Sequence, residues 1–375
     1  MLDKELEKYS KEDIVPFHMP GHKRVSIAHF DPYSIDITEI PGFDDLHDAR
    51  GVLASLQDEY ARLYGASHAF LSVNGSTLGN LAAIFAATER GDEIIAGSNC
   101  HRSVAHAAEL RGLKVHYIDP VEAALCENAP DREEFCDHIP GEITVDQVRE
   151  SIKLHPEARL LVITSPTYEG IVSDIDEIVR IAHDSGVPVH LDGAHGAHHG
   201  LGGLWPRSII SSNADTAVLS LHKTLPAFTG SSVLLLSHDS GISKEKLDHY
   251  IDCFETSSPS YILMYGMAAC LDYLQKGGSR LFDDYAKRLK VFYDDVEDLK
   301  KIRVRRFSGQ DISKIVISGC GNISGEMLSE KLRMDHGVET ERTGETYCLA
   351  LSSVMDERES FKRLSDALIT IDGRL

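Results

Sequence analysis

The stretches V-P-V-H-L-D-G-A-H-G-A-H (187–198) and T-A-V-L-S-L-H-K-T-L-P (216–226) decide the fold. Each opens as a short apolar run and stops on small or polar residues, the pattern of a strand buried on both faces of a parallel sheet. The first run ends on a carboxylate, Asp192, and the second is followed by an amine, Lys223. Open parallel sheets bind ligands in the crevice at the carboxyl ends of their strands, so a strand-end carboxylate such as Asp192 is expected there.

Around this pair, strands and helices alternate. Strands are expected at 69–73, 93–96, 114–118, 160–164, 187–192, 216–221 and 232–237, with helices from Ser76 through Thr88, after Ser103, and from Asp174 to Ser185. This alternation predicts an α/β fold with a mostly parallel central sheet and helices on both faces. Residues 1–50 have no sustained helical period and contain Pro16, Pro20, Pro32 and Pro41, so they read as an extended, looping arm. From Val52 a helical pattern begins, with Gly65 as its stop, and a large domain is expected over 51–279. Leu125 to Pro140 reads as a polar loop. Helical patterns dominate from Ser243 to about Lys301, and the remainder reads strand, helix, strand, strand, helix. A small C-terminal α+β domain is expected over 280–375.

A net charge of -21 argues against nucleic acid or an anionic membrane as partner, since both demand a positive face. An acidic field favours a cationic substrate. No apolar stretch approaches the roughly 18 residues that a membrane span requires, and no export signal is visible. Seven cysteines, Cys136 among them, are scattered and never spaced C-x-x-C, which predicts reduced thiols in the cytoplasm.

Four constellations carry chemistry. Lys223 follows a buried-looking strand between Ser220, His222 and Thr224; an amine held in a semi-buried site has a depressed pKa and forms Schiff bases with aldehydes. Asp192, about thirty residues upstream, would pair with the ring nitrogen if the ligand is pyridoxal phosphate, and Gly193 and Ala194 would leave room for a flat ring. A metal reading competes here, because His190, His195, His198 and His199 crowd together. Strand alternation, however, sends His190 and Asp192 to one face, and no zinc-type spacing is present, so no metal is expected. S-V-N-G-S-T-L-G-N (72–80) turns from a strand into a helix whose first N–H groups, with the Ser76 and Thr77 hydroxyls, suit a phosphate; ordinary N-capping by Ser76 explains it equally well. S-N-C-H-R-S (98–103) places His101 where it could stack on an aromatic cofactor, with Ser103 as helix cap.

In order, F-H-M-P-G-H-K (17–23), N-G-S-T (74–77), N-C-H-R-S (99–103), D-G-A-H-G-A-H (192–198), H-K-T-L-P (222–226) and S-S-P-S-Y (257–261) resemble the Orn/Lys/Arg decarboxylase family, major group, over nearly the whole chain. The resemblance implies the fold-type-I, aspartate-aminotransferase-like architecture and a pyridoxal 5'-phosphate cofactor. It makes Lys223 the Schiff-base lysine, sets Asp192 on the ring nitrogen and His101 on the ring face. It puts Gly75, Ser76, Thr77 and Ser220 at the phosphate, with Ala194 beside the ring. It also places His222 at the reacting carboxylate, His195 by the substrate, and Ser257 in a stretch contacting a partner's site in a homodimer with shared active sites. Glu341, in G-V-E-T-E-R-T-G (337–344), aligns with a glutamate for the substrate's distal cation. The implied reaction is decarboxylation of arginine, lysine or ornithine to an amine of polyamine metabolism. The chain reads as a short form lacking the N-terminal wing and C-terminal domain of larger members. Transamination or elimination would use the same Lys223 and Asp192, an aminotransferase wanting Arg342 or Arg333 for the substrate carboxylate; a catalytically reduced binding protein is the remaining alternative.

Overall fold

In the computed structural model, which describes residues 2–126 and 139–375, three sheets are present. The strands in chain order are β1 (Val15–Phe17), β2 (His68–Ser72), β3 (Glu93–Gly97), β4 (Lys114–Ile118), β5 (Ala158–Thr164), β6 (Val189–Asp192), β7 (Thr216–Ser220), β8 (Ser232–Leu236), β9 (Ile302–Arg305), β10 (Lys314–Gly319), β11 (Val338–Thr340), β12 (Arg342–Thr343) and β13 (Tyr347–Leu351). The large sheet has the order β2-β8-β7-β6-β5-β3-β4. Only β8 is reversed, pairing antiparallel with both β2 and β7, while the other neighbours pair parallel.

Side chains alternate along each strand, so apolar residues supply both faces. Val233 and Leu235 of β8 face one core with Leu161 and Ile163 of β5; Leu234 and Leu236 face a second core with Leu160 and Val162. The second core is closed by the apolar side of the helix Gly75–Ala87, through Leu78, Ala82 and Ile84, and by Val104 and Ala107 of the helix Arg102–Arg111. The first is closed by Ile178 and Val179 of Ile175–Asp184 and by Met264, Met267 and Leu271 of the long helix Tyr261–Asp295. That helix breaks at Gly278, whose φ of 58° lies in the left-handed region that glycine tolerates. Beyond it, β12-β13-β10-β9 form an antiparallel sheet, a distinct β-rich C-terminal region.

The N-terminal segment departs from expectation. Residues Leu2–Ser10 are helical with no buried side chain; their apolar face, Leu2, Leu6 and Tyr9, is too short to stand out from a charged stretch. β1 pairs in parallel with β11, Val15 opposite Val338, tying this segment to the C-terminal region. Lys23 is buried there and donates to the carbonyls of Pro16 (3.0 Å), His18 (2.8 Å) and Leu351 (2.7 Å). The expected polar loop at 125–140 and Cys136 lie largely outside the described residues. The six described cysteines are free thiols. Among the described residues no helix is long and apolar enough to cross a membrane.

Candidate active site

Five strands deliver their ends to one edge of the sheet. Because β8 alone is reversed, its first residue, Ser232, and Ser231 just before it lie at the edge where β2, β5, β6 and β7 finish. The chain leaving β7 forms the four-residue helical turn Leu221–Thr224, which carries Lys223. Its amine lies 3.0 Å from Nε2 of His195. Burial pushes the Lys223 pKa down; the Asp192 and Glu341 carboxylates pull it back up, and the Lys314 ammonium pushes it further down. The amine is therefore neutral at lower pH than an ordinary lysine. Burial also drives His195 well below the usual histidine range, with the Lys223 and Lys314 charges adding to the effect, so the imidazole is uncharged.

Asp192 ends β6 fully buried and is held from both sides. Asn80 Nδ2 donates to its Oδ2 at 2.9 Å and the Ala194 N–H to its Oδ1 at 3.2 Å. Asn80 also bonds Nε2 of His190 (2.8 Å) and donates to the Ser103 hydroxyl (2.8 Å), so β6 and two helices are locked through one amide. His190 and Asp192 thus share a face, as strand alternation requires. Asn80 closes the stretch 72–80 but is given no role by the sequence; its signal is a lone amide inside the apolar helix G-S-T-L-G-N-L-A-A-I-F-A-A. His101 stands close enough to Asp192 and Lys223 to feel both charges, and burial lowers its pKa. It is itself the cap of the helix Arg102–Arg111, its Nδ1 3.3 Å from the Ser103 N–H, which corrects the expectation that Ser103 caps.

Ser76 and Ser220 are buried with hydroxyls 2.6 Å apart, beside the first turn of Gly75–Ala87. Asn74, not Ser76, holds the cap position, and its side chain makes no capping bond. Gly75, at φ 72°, donates to the Gly230 carbonyl (2.8 Å). Thr77 is exposed on the same turn. At Gly193 a Cβ would lie 2.3 Å from Ile209 Cδ1 and 3.1 Å from Leu219 Cδ2, so a larger residue would have to displace those side chains. Ala194 is buried next to it.

His222 directs Nδ1 to the Ser231 carbonyl (3.0 Å). Glu341 accepts from the Tyr168 hydroxyl (2.6 Å) and the Met19 N–H (2.8 Å), and the Tyr168 ring packs 4.5 Å from His195. Glu341 therefore comes to Lys223 from the other end of the chain, along with the F-H-M-P-G-H-K segment. Gly21 donates to the His222 carbonyl (2.7 Å), and a Cβ on it would sit 2.6 Å from the Leu225 oxygen. Ser257 is exposed between two helices, and none of its side-chain contacts reaches the Ser76–Ser220 pair. Arg342 pairs with Glu169 (3.5 Å) and lies over the Tyr168 ring, while Arg333 pairs with Glu339 (3.2 Å).

Among the described residues, two groupings have the composition of metal sites. Glu93, His116 and His155 converge, but Lys114 and His116 already hold the Glu93 carboxylate. His198, His199 and Asp311 converge around the Lys314 ammonium, which supplies a cation of its own 3.3 Å from Asp311.

Fold and site together define the fold-type-I architecture of pyridoxal-phosphate enzymes. The lysine-bearing turn follows one strand, the buried carboxylate ends the neighbouring strand, and a helix N-terminus lined with hydroxyls lies at the same edge. The family model "Orn/Lys/Arg decarboxylase, major domain" matches residues 2–315, and the chain belongs to that family. Bacillus subtilis YaaO is 38% identical over 282 residues, 73% of this chain and 56% of its own length. The arginine decarboxylase of the same organism is 29% identical over 385 aligned positions, covering 98% and 76%. The structure of lysine decarboxylase A from Pseudomonas aeruginosa superposes with a TM-score of 0.72 at 21% identity, over 90% of this chain and 53% of that one. The chain thus spans little more than half the length of several of its relatives.

Pyridoxal phosphate is the family's cofactor, and the residues present fit it. Asp192 offers a buried carboxylate, Lys223 a depressed amine, and Ser76 and Ser220 a pair of hydroxyls at an uncapped helix start. The Thr164 hydroxyl at the end of β5 and Nδ1 of His195 are buried without a hydrogen-bond partner among the described residues.

Proposed function

We propose that the chain decarboxylates a basic amino acid, with pyridoxal phosphate held on Lys223. One observation carries the reading: a largely buried lysine, its amine 3.0 Å from His195, has a depressed pKa and feels two carboxylates, Asp192 and Glu341, from distant parts of the chain. Bound pyridoxal phosphate supplies an acceptor for the electron pair left when the α-carboxylate departs. Asp192 would hold a positive ring nitrogen, His101 would lie against the ring face, and Gly75, Ser76, Thr77 and Ser220 would bind the phosphate. Ala194 lines the ring edge. Glu341 binds the distal cation of arginine, lysine or ornithine, and Tyr168 keeps that carboxylate oriented. Lys223 or His222 would deliver to Cα the proton that replaces the departing carboxylate, and the His195 imidazole lies 3.0 Å from the Lys223 amine.

Related proposals concern the whole chain. Residues 1–50 form an arm, 51–279 the cofactor domain and 280–375 the small domain, the last boundary falling at the Gly278 break. Two copies make a homodimer in which Ser257, exposed in its own chain, completes the partner's site. The product amine belongs to polyamine metabolism, and free thiols on an acidic chain support a cytoplasmic location.

The test supplies purified protein and pyridoxal phosphate with each basic amino acid and measures carbon dioxide and amine. One of them should react, and Lys223→Ala should lose both turnover and the visible Schiff-base absorbance. Stoichiometric keto acid would favour transamination instead, and a wild-type protein that stays colourless with added cofactor would sink the reading.

A further inference from the structure

Behind the His195 loop lies a buried ionic cluster that the proposed reaction does not use. Lys314, the first residue of β10, is fully buried. Its ammonium donates to the His195 carbonyl (3.3 Å), to Asp311 Oδ2 (3.3 Å) and to the Ser313 hydroxyl (3.0 Å). The same carboxylate oxygen lies 3.1 Å from Nε2 of His198 and 3.4 Å from Nε2 of His199. Room for the lysine stem is made by Gly170, at φ 92°, where a Cβ would be 2.7 Å from Lys314 Cγ.

Taking a lysine and an aspartate wholly out of water is costly, and an apolar pair of similar volume often serves stability as well. Lys314 has a more specific use. It belongs to the C-terminal region yet grips the backbone of the residue whose imidazole touches Lys223. We propose that Lys314 is a positioning residue for Lys223: its ammonium, fixed by Asp311 and Ser313, holds the His195 carbonyl and so keeps the His195 imidazole against the Lys223 amine. The inference rests on Lys223 being the cofactor-bearing amine. The groups facing that amine are Asp192, His195, His222, His101, Glu341 and Lys314. Of these, Lys314 is a cation without access to solvent, and its charge disfavours protonation of both His195 and Lys223.

The experiment uses the full chain without cofactor. Lys223 is trace-acetylated with acetic anhydride across a pH series and quantified by peptide mass spectrometry, which reads the amine's titration midpoint independently of activity. Lys314→Met should raise that midpoint by about one pH unit, because a nearby cation is lost and a loosened imidazole admits water to the ammonium form. In a His195→Phe background the same substitution should shift it by clearly less, since the part carried by the imidazole is absent and only the loss of the Lys314 charge remains. A midpoint unmoved by Lys314→Met, or an equal shift in both backgrounds, overturns the proposal. Should Lys314→Met fail to fold, the double variant Lys314→Met with Asp311→Asn, which leaves no buried carboxylate without its cation, is read against the same two outcomes. Reconstitution with pyridoxal phosphate is a separate measurement: a missing Schiff-base band would sink the cofactor reading and leave the labelling result standing.

Discussion

Lys223 is an amine whose protonation is set by neighbours drawn from four distant parts of the chain. Glu341 is one of two carboxylates favouring its charged form, so Glu341→Gln removes that support and should move the Lys223 midpoint downward, seen by the same acetylation titration. If Glu341 also binds the substrate's distal cation, the substitution should raise KM for the preferred amino acid by about tenfold or more, the loss of one charged hydrogen bond. A kcat that falls with KM unchanged would instead confine Glu341 to tuning the lysine. Lys223, Asp192 and His101 were legible because each follows an apolar strand run at the edge where such sheets bind ligands. Asn80, Lys314 and Asp311 were not. Nothing local marks a lysine in K-I-V-I-S-G as buried; its partner backbone lies 119 positions away.

At the level of elements, the inner strands β5 to β8 could be read from their apolar runs, because both faces are buried, while the edge strand β4, with Lys114 and Tyr117 exposed, was read from its β-branched and aromatic residues. The helix Leu2–Ser10 could not, since it leaves Leu2 and Leu6 exposed and buries nothing. β1 contains Pro16, which argues locally against a strand; its place is given by pairing with β11, a contact beyond any sequence window. The segment from β1 to Lys23 backs the turn that bears Lys223, and the tightest approach is at Gly21. Gly21→Ala should cost roughly 1–3 kcal/mol of stability, measured by urea unfolding, and should weaken cofactor retention by displacing the turn. Lys23→Met should be more severe, about 3–5 kcal/mol, because it leaves Asp356, 3.9 Å from the ammonium, buried without its partner.

For the whole molecule, Ser257 stands apart from the other site residues in one chain, which makes assembly part of the proposed chemistry. Mixing inactive Lys223→Ala chains with inactive Ser257→Trp chains should restore activity that neither possesses alone, because a hybrid dimer contains one intact site. Failure of complementation in a demonstrated heterodimer would confine each site to one chain. The parallel pairing of β1 with β11, and the bond from Lys23 to the Leu351 carbonyl, carry a further consequence. Residue 23 leaves the ribosome some 328 residues before residue 351, an interval on the order of tens of seconds at ordinary elongation rates. Throughout that time the backing of the lysine turn is unfinished, so cofactor capture is expected to follow synthesis rather than accompany it. Ribosome-bound chains stalled before residue 338 should hold little cofactor compared with released ones.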